Sequence, residues 1–321
     1  MNKSKISILV QMDKINNVNP KTDSTYQIVK EALIRKNIVM FNSPSDIFIK
    51  NNNSKVIAQR LFLDKSKNIK IQRNSRKILF IYDFDVVLIR QDPPFNMDYI
   101  TNTYLIDIQN NSLKKKPFFI NSPVSIRNFS EKIFPLTFPE LVPKTLITSN
   151  QKEMLNFLSK FKKIVIKPLY DKGGNGIFIL EKNDTNVSKI LKHSSNNFSS
   201  CIILQKYLTN IKKGDKRILL INGVPVGAVN RLPPQGKFRA NLNLGGKAEK
   251  TVLTTMEKNI CKRIQPYLRK NNFFFVGIDV IDEKLTEINV TSPTGICQIN
   301  KLNNVKLEEK FWNEVRKKLR K

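Results

Sequence analysis

Two short apolar runs near the C-terminal end, at 273–281 and 285–290, constrain the fold of this chain more than any other feature. Both are rich in β-branched and aromatic residues, and a polar triplet centred on Glu283 separates them. Runs of this kind around a turn-forming triplet predict a β-hairpin. With the turn centred on Glu283, the predicted cross-strand pairs are Ile281 with Leu285, Asp279 with Glu287, and Gly277 with Asn289.

This register brings three oxygen-bearing side chains, those of Asp279, Glu287 and Asn289, to one face of the hairpin, because side chains alternate between the faces of a strand. Two carboxylates and an amide suit a hard cation such as Mg²⁺, which keeps its other positions for water and phosphate oxygens. Gly277, opposite Asn289, leaves room beside them. An ordinary hairpin with solvated acidic side chains is the alternative interpretation.

Composition excludes several classes of protein. The 321 residues, 40% of them hydrophobic, are enough for two or three globular domains. The longest apolar stretches are far shorter than the roughly 18 residues of a membrane helix, and the apolar segment at the N-terminus is too short for a secretory signal. One histidine, His193, and three widely spaced cysteines provide neither a disulfide framework nor a zinc knuckle. We therefore expect a cytoplasmic protein that does not bind membranes and does not use Ser-His-Asp or Cys-His catalysis.

The net charge of +30 is spread along the chain rather than concentrated in one arm or helix. Lys, Asn and Ile recur together, and all three have A/T-rich codons, so a compositional bias explains the charge better than a polyanion partner does. Clustered basic residues would instead predict nucleic-acid binding, which we do not expect here.

The first third of the chain alternates predicted strands and helices up to about residue 122, which predicts an open α/β domain. Ligands in such domains bind where loops leave the carboxyl ends of the strands. Asp23-Ser24 and the segment 90–95, which contains Arg90 and Asp92, are therefore candidate substrate loops. A helix cap and a proline-fixed turn are the alternatives. Helices are predicted at 24–36, 98–109, 124–134, 151–161, 254–269 and 307–319.

Three of the 11 glycines fall within 173–176, between predicted strands at 163–168 and 177–181. Glycines let backbone N–H groups approach anionic oxygens closely, so this loop is suited to arch over phosphates as a hairpin flap. It is neither a GxGxxG nor a Walker motif, since both of those lead from a strand into a helix. Lys167, at the end of an apolar strand, needs an anionic partner or a path to solvent.

The last third contains a second hairpin signal, the Asn222-Gly223 pair. A long loop rich in Gly, Pro and basic residues follows it, and loops longer than about 12 to 15 residues are often lids. The basic residues in and around this loop would bring positive charge over whatever it covers. They are Arg231, Lys237, Arg239 and Lys247.

Several segments together resemble the prokaryotic-type glutathione synthetases of the ATP-grasp superfamily over nearly the whole chain. They are DPPF at 92–95, VIKPLYDKGGNGIF at 165–178, GDKR at 214–217 and EINVTSPT at 287–294. The resemblance implies an α/β fold with an N-terminal pre-ATP-grasp, substrate-binding domain at 1–122 and a two-lobed ATP-grasp domain at 123–321. The lid lobe, with the glycine-rich flap, would be 123–203, and the large lobe, with the metal hairpin, 204–321.

The resemblance also implies a reaction, the ATP-dependent joining of γ-glutamylcysteine to glycine through an acyl phosphate, with release of ADP and phosphate. The enzyme would use ATP with Mg²⁺, or with Mn²⁺ in its place. Its partners would be small molecules, with a homo-oligomer left open. No protein nucleophile is needed, since such an enzyme supplies positioning and charge compensation. Another ATP-grasp carboxylate-amine ligase and a degenerate ATP-binding homologue are the alternatives.

The functional positions of the family carry over onto this sequence in four groups. Phosphate contacts would come from Lys132, Lys167 and the flap glycines Gly173, Gly174 and Gly176, and the adenine pocket would be lined by Gln205, Lys206, Tyr207 and Leu208. The metal ligands would be Asp279, Glu287 and Asn289, in agreement with the register predicted from alternation. Arg217, Arg239 and Asn241 would lie near the reacting phosphoryl group, and Asp23, Ser24, Arg90, Asp92, Thr291 and Ser292 on the substrate side.

The sequence departs from the family pattern at three places. Asp171 and Lys172 stand in the flap where the family has a glycine and an uncharged residue. Lys237 stands in the lid where a glutamate is common, and Cys297-Gln298 replaces an Arg-Glu pair. A carboxylate near phosphates is unfavourable unless a cation offsets it, so these changes would affect efficiency and lid closure.

Overall fold

The computed structural model describes residues 5–13, 15, 18–108, 116–170, 176–236, 239–240 and 245–320. Within them the chain forms three β-sheets and eight α-helices, which confirms the α/β expectation. No helix in these ranges is long and apolar enough to cross a membrane.

The first sheet belongs to the N-terminal part of the chain. Four of its strands, β1, β2, β7 and β8, run parallel, so their carboxyl ends lie at one edge. The strand order is β3-β4-β2-β1-β7-β8, with β5 and β6 also paired to β4. The elements are β1 (Ser7–Met12), α1 (Ser24–Ile34), β2 (Ile38–Asn42), β3 (Ile47–Lys50), β4 (Asn53–Leu63), β5 (Ile69–Ile71), β6 (Lys77–Phe80), β7 (Val86–Arg90), α2 (Met97–Asp107) and β8 (Phe118–Ile120).

The second sheet is antiparallel, with the order β11-β10-β12-β9, and two helices bury their apolar residues in a core of their own. Strands β10 and β11 pair directly, which confirms the hairpin predicted around the glycine-rich loop, although residues 171–175 lie outside the described ranges. The elements are α3 (Pro123–Asn128), β9 (Thr145–Thr148), α4 (Gln151–Phe161), β10 (Lys163–Lys167), β11 (Phe178–Glu181), α5 (Val187–Ser194) and β12 (Ile202–Lys206).

The third sheet is also antiparallel, with the order β15-β14-β13-β16-β17. The predicted Asn222-Gly223 turn joins β13 to β14, with left-handed φ values of 50° and 75°. The elements are β13 (Asp215–Ile221), β14 (Val224–Leu232), β15 (Lys247–Lys250), α6 (Thr255–Lys270), β16 (Phe275–Ile281), β17 (Lys284–Asn289), α7 (Ile296–Asn303) and α8 (Leu307–Leu319).

The hairpin formed by β16 and β17 has the predicted register where it matters for the site. Asp279 pairs with Glu287, and Gly277 pairs with Asn289. The predicted pair of Ile281 with Leu285 is wrong, since Ile281 pairs with Lys284. The turn contains only Asp282 and Glu283, both left-handed, and an irregularity between Asp279 and Val280 absorbs the one-residue difference.

One predicted helix is shorter than expected. The sequence pattern predicted a helix at 124–134, but α3 ends at Asn128 and a short 3₁₀ turn follows at Phe134–Thr137. The interruption places Phe129 against the rings of Phe134 and Phe273, at centroid distances of 4.7 and 5.5 Å. Aromatic packing against the third sheet therefore outweighs local helix propensity here.

The two ends of the chain share a core. Helix α8 packs on α1, and its Trp312 is almost fully buried. The Trp312 indole Nε1 donates a hydrogen bond of 2.8 Å to the carbonyl oxygen of Ile28. Buried residues of both ends, including Ile28 and Phe311, belong to one apolar cluster. The N-terminal α/β domain is thus completed by the C-terminal helix.

Candidate active site

A cavity of about 760 Å³ is lined by residues of all three sheets. One wall consists of the carboxyl ends of β1 and β7, in the first sheet. The others come from the neighbouring strands β10 and β12 of the second sheet and from β13, β16 and β17 of the third. This volume is in the range of small-molecule binding sites. The cavity brings together most of the residues singled out from the sequence. They are Asp23, Arg90, Asp92, Lys132, Lys167, Gln205, Lys206, Tyr207, Leu208, Arg217, Arg239, Asp279, Glu287, Asn289, Thr291 and Ser292.

Five of the predicted site residues are not among the described residues that line the cavity, namely Ser24, Gly173, Gly174, Gly176 and Asn241. Gly173, Gly174 and Asn241 lie outside the described residues, as do Asp171, Lys172 and Lys237. Gly176 is described, with a left-handed φ of 67°, next to the cavity residue Ile177. Ser24 is fully buried, and its hydroxyl oxygen accepts hydrogen bonds from the backbone N–H groups of Gly295 (3.1 Å) and Ile296 (3.2 Å). Its role in the structure is to fix the start of α7.

Asp279 is buried and receives four hydrogen bonds. Its Oδ1 accepts from Arg217 Nε at 2.5 Å and from Arg231 Nη2 at 3.0 Å. Its Oδ2 accepts from Arg217 Nη2 at 2.9 Å and from Asn289 Nδ2 at 3.3 Å. Burial alone would raise the pKa of Asp279, but the two guanidinium groups outweigh it and hold the pKa below its usual range. Asp279 is therefore a carboxylate at every physiological pH.

Glu287 lies across the hairpin from Asp279 and faces the same cavity. Burial raises its pKa, and the negative charge of Asp279 raises it further, whereas Lys132 and Lys167 act in the opposite direction. Two carboxylates in this position are stabilised by a shared cation. Among the described residues no three His, Cys, Asp or Glu side chains form a metal-binding group. Asn289 lines the same cavity beside these two carboxylates. Asn289 directs its Nδ2 toward Gly277 and Asp279, which turns its Oδ1 away from them.

The space beside Gly277 is filled by protein, contrary to the sequence-based expectation of free room. A Cβ at this position would lie 3.1 Å from the Cβ of Pro293 and 3.2 Å from the Cδ of Arg217. We expect Gly277→Ala to destabilise the protein by about 1–3 kcal/mol, because the added methyl group overpacks the site. The variant should also lower kcat, since it displaces Arg217 from Asp279. Chemical denaturation and steady-state kinetics measure both effects, and wild-type values of both would show that Pro293 and Arg217 yield without cost.

Two lysines approach the carboxylates from the opposite wall. Lys167, nearly buried at the end of β10, donates from Nζ to Gln205 Oε1 at 3.0 Å, and Gln205 Nε2 in turn donates to Thr145 Oγ1 at 3.0 Å. Lys132 Nζ donates to the carbonyl oxygen of Pro168 at 2.7 Å. The sequence predicted that the Lys167 ammonium group would need a partner or a path to solvent. The amide oxygen of Gln205 is a polar partner for that charge. A negatively charged ligand would fit between the ammonium groups of Lys132 and Lys167 and a cation bound at Glu287.

Arg231 and Asp215 complete the buried charge network. Sequence reasoning named Arg231 only among the basic residues in and around the long loop, whereas it lies buried in β14, and it did not single out Asp215. Arg231 Nη2 donates to Asp215 Oδ2 at 2.6 Å as well as to Asp279. Burial raises the pKa of Asp215 to about 6, despite the nearby guanidinium group. The signal for Asp215 was present in the GDKR segment, in which alternation places residues 215 and 217 on the same face of β13.

The N-terminal wall carries an arginine within a group of acidic side chains. Arg90 Nε donates to Thr25 Oγ1 at 2.9 Å, and Arg90 Nη2 donates to the carbonyl oxygen of Pro293 at 2.9 Å. Asp92 Oδ1 accepts from the Ser292 hydroxyl at 2.7 Å. Asp23 caps α1 by accepting from the backbone N–H of Tyr26 at 2.6 Å, and burial raises its pKa. The segment 291–295 is thereby held between the first and third sheets.

Glu131 is a further residue of the cavity that sequence reasoning missed. One of its carboxylate oxygens, Oε1, accepts three hydrogen bonds, from the backbone N–H groups of Val290 and Thr291 and from the Thr291 hydroxyl. These partners follow directly on the hairpin of Asp279 and Glu287. A glutamate in a connecting segment gives no local signal of contacts that lie about half the chain away.

Cys297 lies in the first turn of α7, next to the cavity residue Gln298. Its Sγ donates to the carbonyl oxygen of Asp23 at 3.4 Å. Burial and the nearby Asp23 carboxylate raise the pKa of the Cys297 thiol to about 11, and burial likewise raises the pKa of Cys261 to about 12. Cys201 is exposed.

We expect iodoacetamide at pH 7.5 to alkylate Cys201 and to leave Cys297 and Cys261 unmodified. The thiolate is the reactive form, and a raised pKa keeps the thiols of Cys297 and Cys261 protonated until the pH approaches their pKa values. Peptide mass spectrometry after alkylation measures the extent at each site, with urea-unfolded protein as the control for full labelling. Rapid alkylation of Cys297 in the folded protein would contradict the raised pKa of its thiol.

Comparison with known proteins adds two kinds of similarity. The family model of the prokaryotic glutathione synthetase N-terminal domain matches residues 6–127, and that of the prokaryotic glutathione synthetase ATP-grasp domain matches residues 131–304. A glutathione synthetase from Mesorhizobium japonicum is 39% identical and covers 97% of this chain and 98% of that protein. A glutathione synthetase from Coxiella burnetii is 36% identical, with coverage of 95% of each.

Solved structures share the fold at much lower identity. A D-cycloserine synthetase, DcsG, superposes with a TM-score of 0.66 at 12% identity and covers 97% of this chain and 99% of its own. D-alanyl-alanine synthetase A from Vibrio cholerae superposes with a TM-score of 0.57 at 14% identity, with coverage of 98% of each chain. At these identities the likeness concerns the fold alone.

Proposed function

Since the chain belongs to the prokaryotic glutathione synthetase family and is an ATP-dependent carbon–nitrogen ligase, we propose that it joins γ-glutamylcysteine to glycine to form glutathione. ATP would be converted to ADP and phosphate. The observation that carries the proposal is the cavity in which Lys132 and Lys167 face the hairpin of Asp279 and Glu287, beside the N-terminal wall. One site thus holds cations for a polyphosphate and a separate wall for an amino-acid substrate.

The chain's own residues act by positioning and by charge compensation. The dipeptide carboxylate attacks the γ-phosphorus of ATP, the bond from that phosphorus to the bridging oxygen breaks, and ADP leaves. The glycine amine then attacks the acyl carbon, phosphate leaves, and the amine gives up a proton. Arg217 and Arg239, both at the cavity, would balance the charge on the transferring phosphoryl group, and Asn241 is predicted to assist them.

A divalent cation is general to this family of ATP-dependent ligases, and we propose Mg²⁺, with Mn²⁺ able to replace it. Asp279, Glu287 and Asn289 would hold it, because they present hard oxygen ligands on one face of the hairpin. When bound, such a cation would offset the charge of the phosphate groups. Arg217 and Arg231 keep Asp279 ionised and oriented for that task.

The nucleotide would lie between the second and third sheets. Lys132 and Lys167 would contact its phosphates, together with the flap glycines Gly173, Gly174 and Gly176. The segment of Gln205, Lys206, Tyr207 and Leu208, where β12 ends, would line the adenine pocket. Its support is the position of these residues on the same cavity wall as Lys167.

The dipeptide would lie against the N-terminal wall. Its γ-glutamyl end carries both an ammonium and a carboxylate group, and the wall offers Asp23 and Asp92 around Arg90. Thr291 and Ser292 would contact the same substrate from the third sheet. Ser24, whose hydroxyl is engaged with α7, would act through that helix.

The same family membership supports a proposal for the finer organisation. We infer a substrate-binding domain at 1–122 and an ATP-grasp domain at 123–321, whose lid lobe ends at 203. A reaction that consumes ATP suits the cytoplasm, and its partners are small molecules. A homo-oligomer remains a prediction, as does the absence of nucleic-acid binding.

The experiment that tests the proposal measures ADP release from the purified protein with ATP, Mg²⁺ and γ-glutamylcysteine, with and without glycine. We expect release that depends on glycine, together with a product of the mass of glutathione. Release with another amine in place of glycine would indicate a ligase of different specificity. ATP binding without ADP release, over a range of pH and salt, would indicate a degenerate homologue.

A further inference from the structure

We propose that Glu131 is a positioning residue for the ligase reaction, which fixes the segment beginning at Val290 relative to the metal hairpin. The inference rests on the proposed function, because the segment it holds forms the substrate side of that site. Its basis is a set of contacts that connect the segment before Lys132 to the residues directly after Asn289.

The side chain of Glu131 is engaged with a single short stretch of backbone. Its Oε1 accepts from the N–H of Val290 at 2.9 Å, from the N–H of Thr291 at 3.0 Å and from the Thr291 hydroxyl at 2.8 Å. A carboxylate oxygen is suited to three donors, and hydrogen bonds to a charged acceptor are about twice as strong as neutral ones. The Thr291 hydroxyl is thereby held in one rotamer at the cavity wall.

The main chain of Glu131 makes a separate contact. Its carbonyl oxygen accepts from the N–H of Ile288 at 2.9 Å, between the two ligand positions Glu287 and Asn289. This bond does not depend on the side chain, so it should persist in side-chain variants. Removing the carboxylate should therefore release 290–291 while leaving β17 and the adjacent Lys132 in place.

The held segment connects to both other walls of the site. Pro293, two residues beyond Thr291, accepts from Arg90, and Thr294 accepts from Arg217 Nη1 at 3.2 Å. A displacement that begins at Thr291 would thus reach the N-terminal wall and also Arg217, the residue of β13 that pairs with Asp279. Misplacement of about 1 Å can lower a rate about a hundredfold, so the side chain of Glu131 should matter for turnover rather than for nucleotide binding.

The test compares Glu131→Ala with Glu131→Gln, whose amide oxygen can accept the same three hydrogen bonds. We expect Glu131→Ala to lower kcat about 10- to 100-fold and to raise the KM for γ-glutamylcysteine, with an unchanged Kd for Mg·ADP by calorimetry. Glu131→Gln should keep most of the activity. Glu140→Ala, at an exposed carboxylate in the same connecting segment, is the control and should match the wild type. If Glu131→Ala does not fold, Glu131→Asp serves instead, since its carboxylate is one methylene too short for all three donors.

The outcomes separate this inference from the proposed function. An active wild-type enzyme with a fully active Glu131→Ala or Glu131→Asp variant would overturn the positioning role alone. Equal losses in Glu131→Ala and Glu131→Gln would also overturn it, because the hydrogen bonds would not be what matters. A wild-type protein that binds Mg·ADP but releases no ADP under any condition would overturn the proposed function and the positioning role with it.

Discussion

Glu287→Gln is expected to lower kcat about a hundred- to a thousandfold while the protein remains folded. Glutamine has the same shape but no charge, so the hairpin keeps its register and loses one of the two carboxylates proposed to hold the metal. Glu287 is half-buried and opposes Asp279 directly, with its pKa raised by burial and by that neighbour. The substitution should even relieve charge repulsion in the metal-free protein, and the melting temperature should not fall.

The matched control is Glu283→Gln in the turn of the same hairpin. Glu283 is exposed, and its carboxylate accepts only from the Thr254 hydroxyl among the contacts described, at 3.1 Å. This variant should retain wild-type kcat. Mn²⁺ binding, followed by electron paramagnetic resonance in the presence of ADP, gives a readout that does not depend on turnover, and it should weaken only in Glu287→Gln. Unchanged turnover in Glu287→Gln would exclude the metal hairpin.

Arg217→Met is expected to reduce both stability and activity. Arg217 forms a bidentate pair with Asp279, and both side chains are buried. Removing one partner of a buried pair costs roughly 3–5 kcal/mol, and we expect the lower end because Arg231 still contacts Asp279. The kcat should fall about a hundredfold or more, because the proposed role of Arg217 is to supply a preorganised positive charge to the transferring phosphoryl group.

Lys216→Met separates the two effects. Lys216 is the preceding residue of β13, points to the other face of the sheet and pairs with the buried Glu257 at 2.6 Å. Its loss should destabilise the protein without lowering kcat at a temperature where both variants are folded. Thermal unfolding and kinetics at 15 °C measure the two quantities. A similar loss of kcat in both variants would mean that the activity of Arg217→Met reflects stability alone.

The cross-strand pairing of the proposed metal ligands could be predicted because it depends on local alternation. Asp279, Glu287 and Asn289 share a face in any hairpin whose turn lies near Glu283, and the structure retains these pairs. The turn itself was predicted one residue too long. Asp282 and Glu283 both adopt left-handed conformations, which Asn-Gly commonly signals and Asp-Glu does not. The bulge beside Asp279 compensates for the shorter turn, so the predicted pairs of Asp279 with Glu287 and of Gly277 with Asn289 are retained.

The contacts of Glu131 with Val290 and Thr291 could not be predicted from the sequence. Glu131 contacts positions 159 and 160 residues away, and nothing in its neighbourhood in the sequence points to them. Arg231 is similar, since its pairing with Asp279 depends on the order of strands in the third sheet. Local pattern determines which face a side chain occupies, whereas tertiary packing determines what it meets there.

Helix prediction failed for a related reason at 124–134. The residues have the apolar spacing of a helix, but Phe129 and Phe134 gain more by entering the aromatic cluster around Phe273. Helices without such competition, α4 and α8, were predicted with their observed ends.

The shared core of α1 and α8 has a consequence for biosynthesis. A chain emerges from the ribosome N-terminal end first, and its early domains generally fold as they appear. Here the surface of α1 that contains Ile28 stays uncovered until Trp312 has been translated, because α8 is its cover. The nascent N-terminal domain therefore keeps this apolar surface exposed while nearly all of the chain is translated. A product that is terminated before α8 should be a substrate for chaperones and proteases.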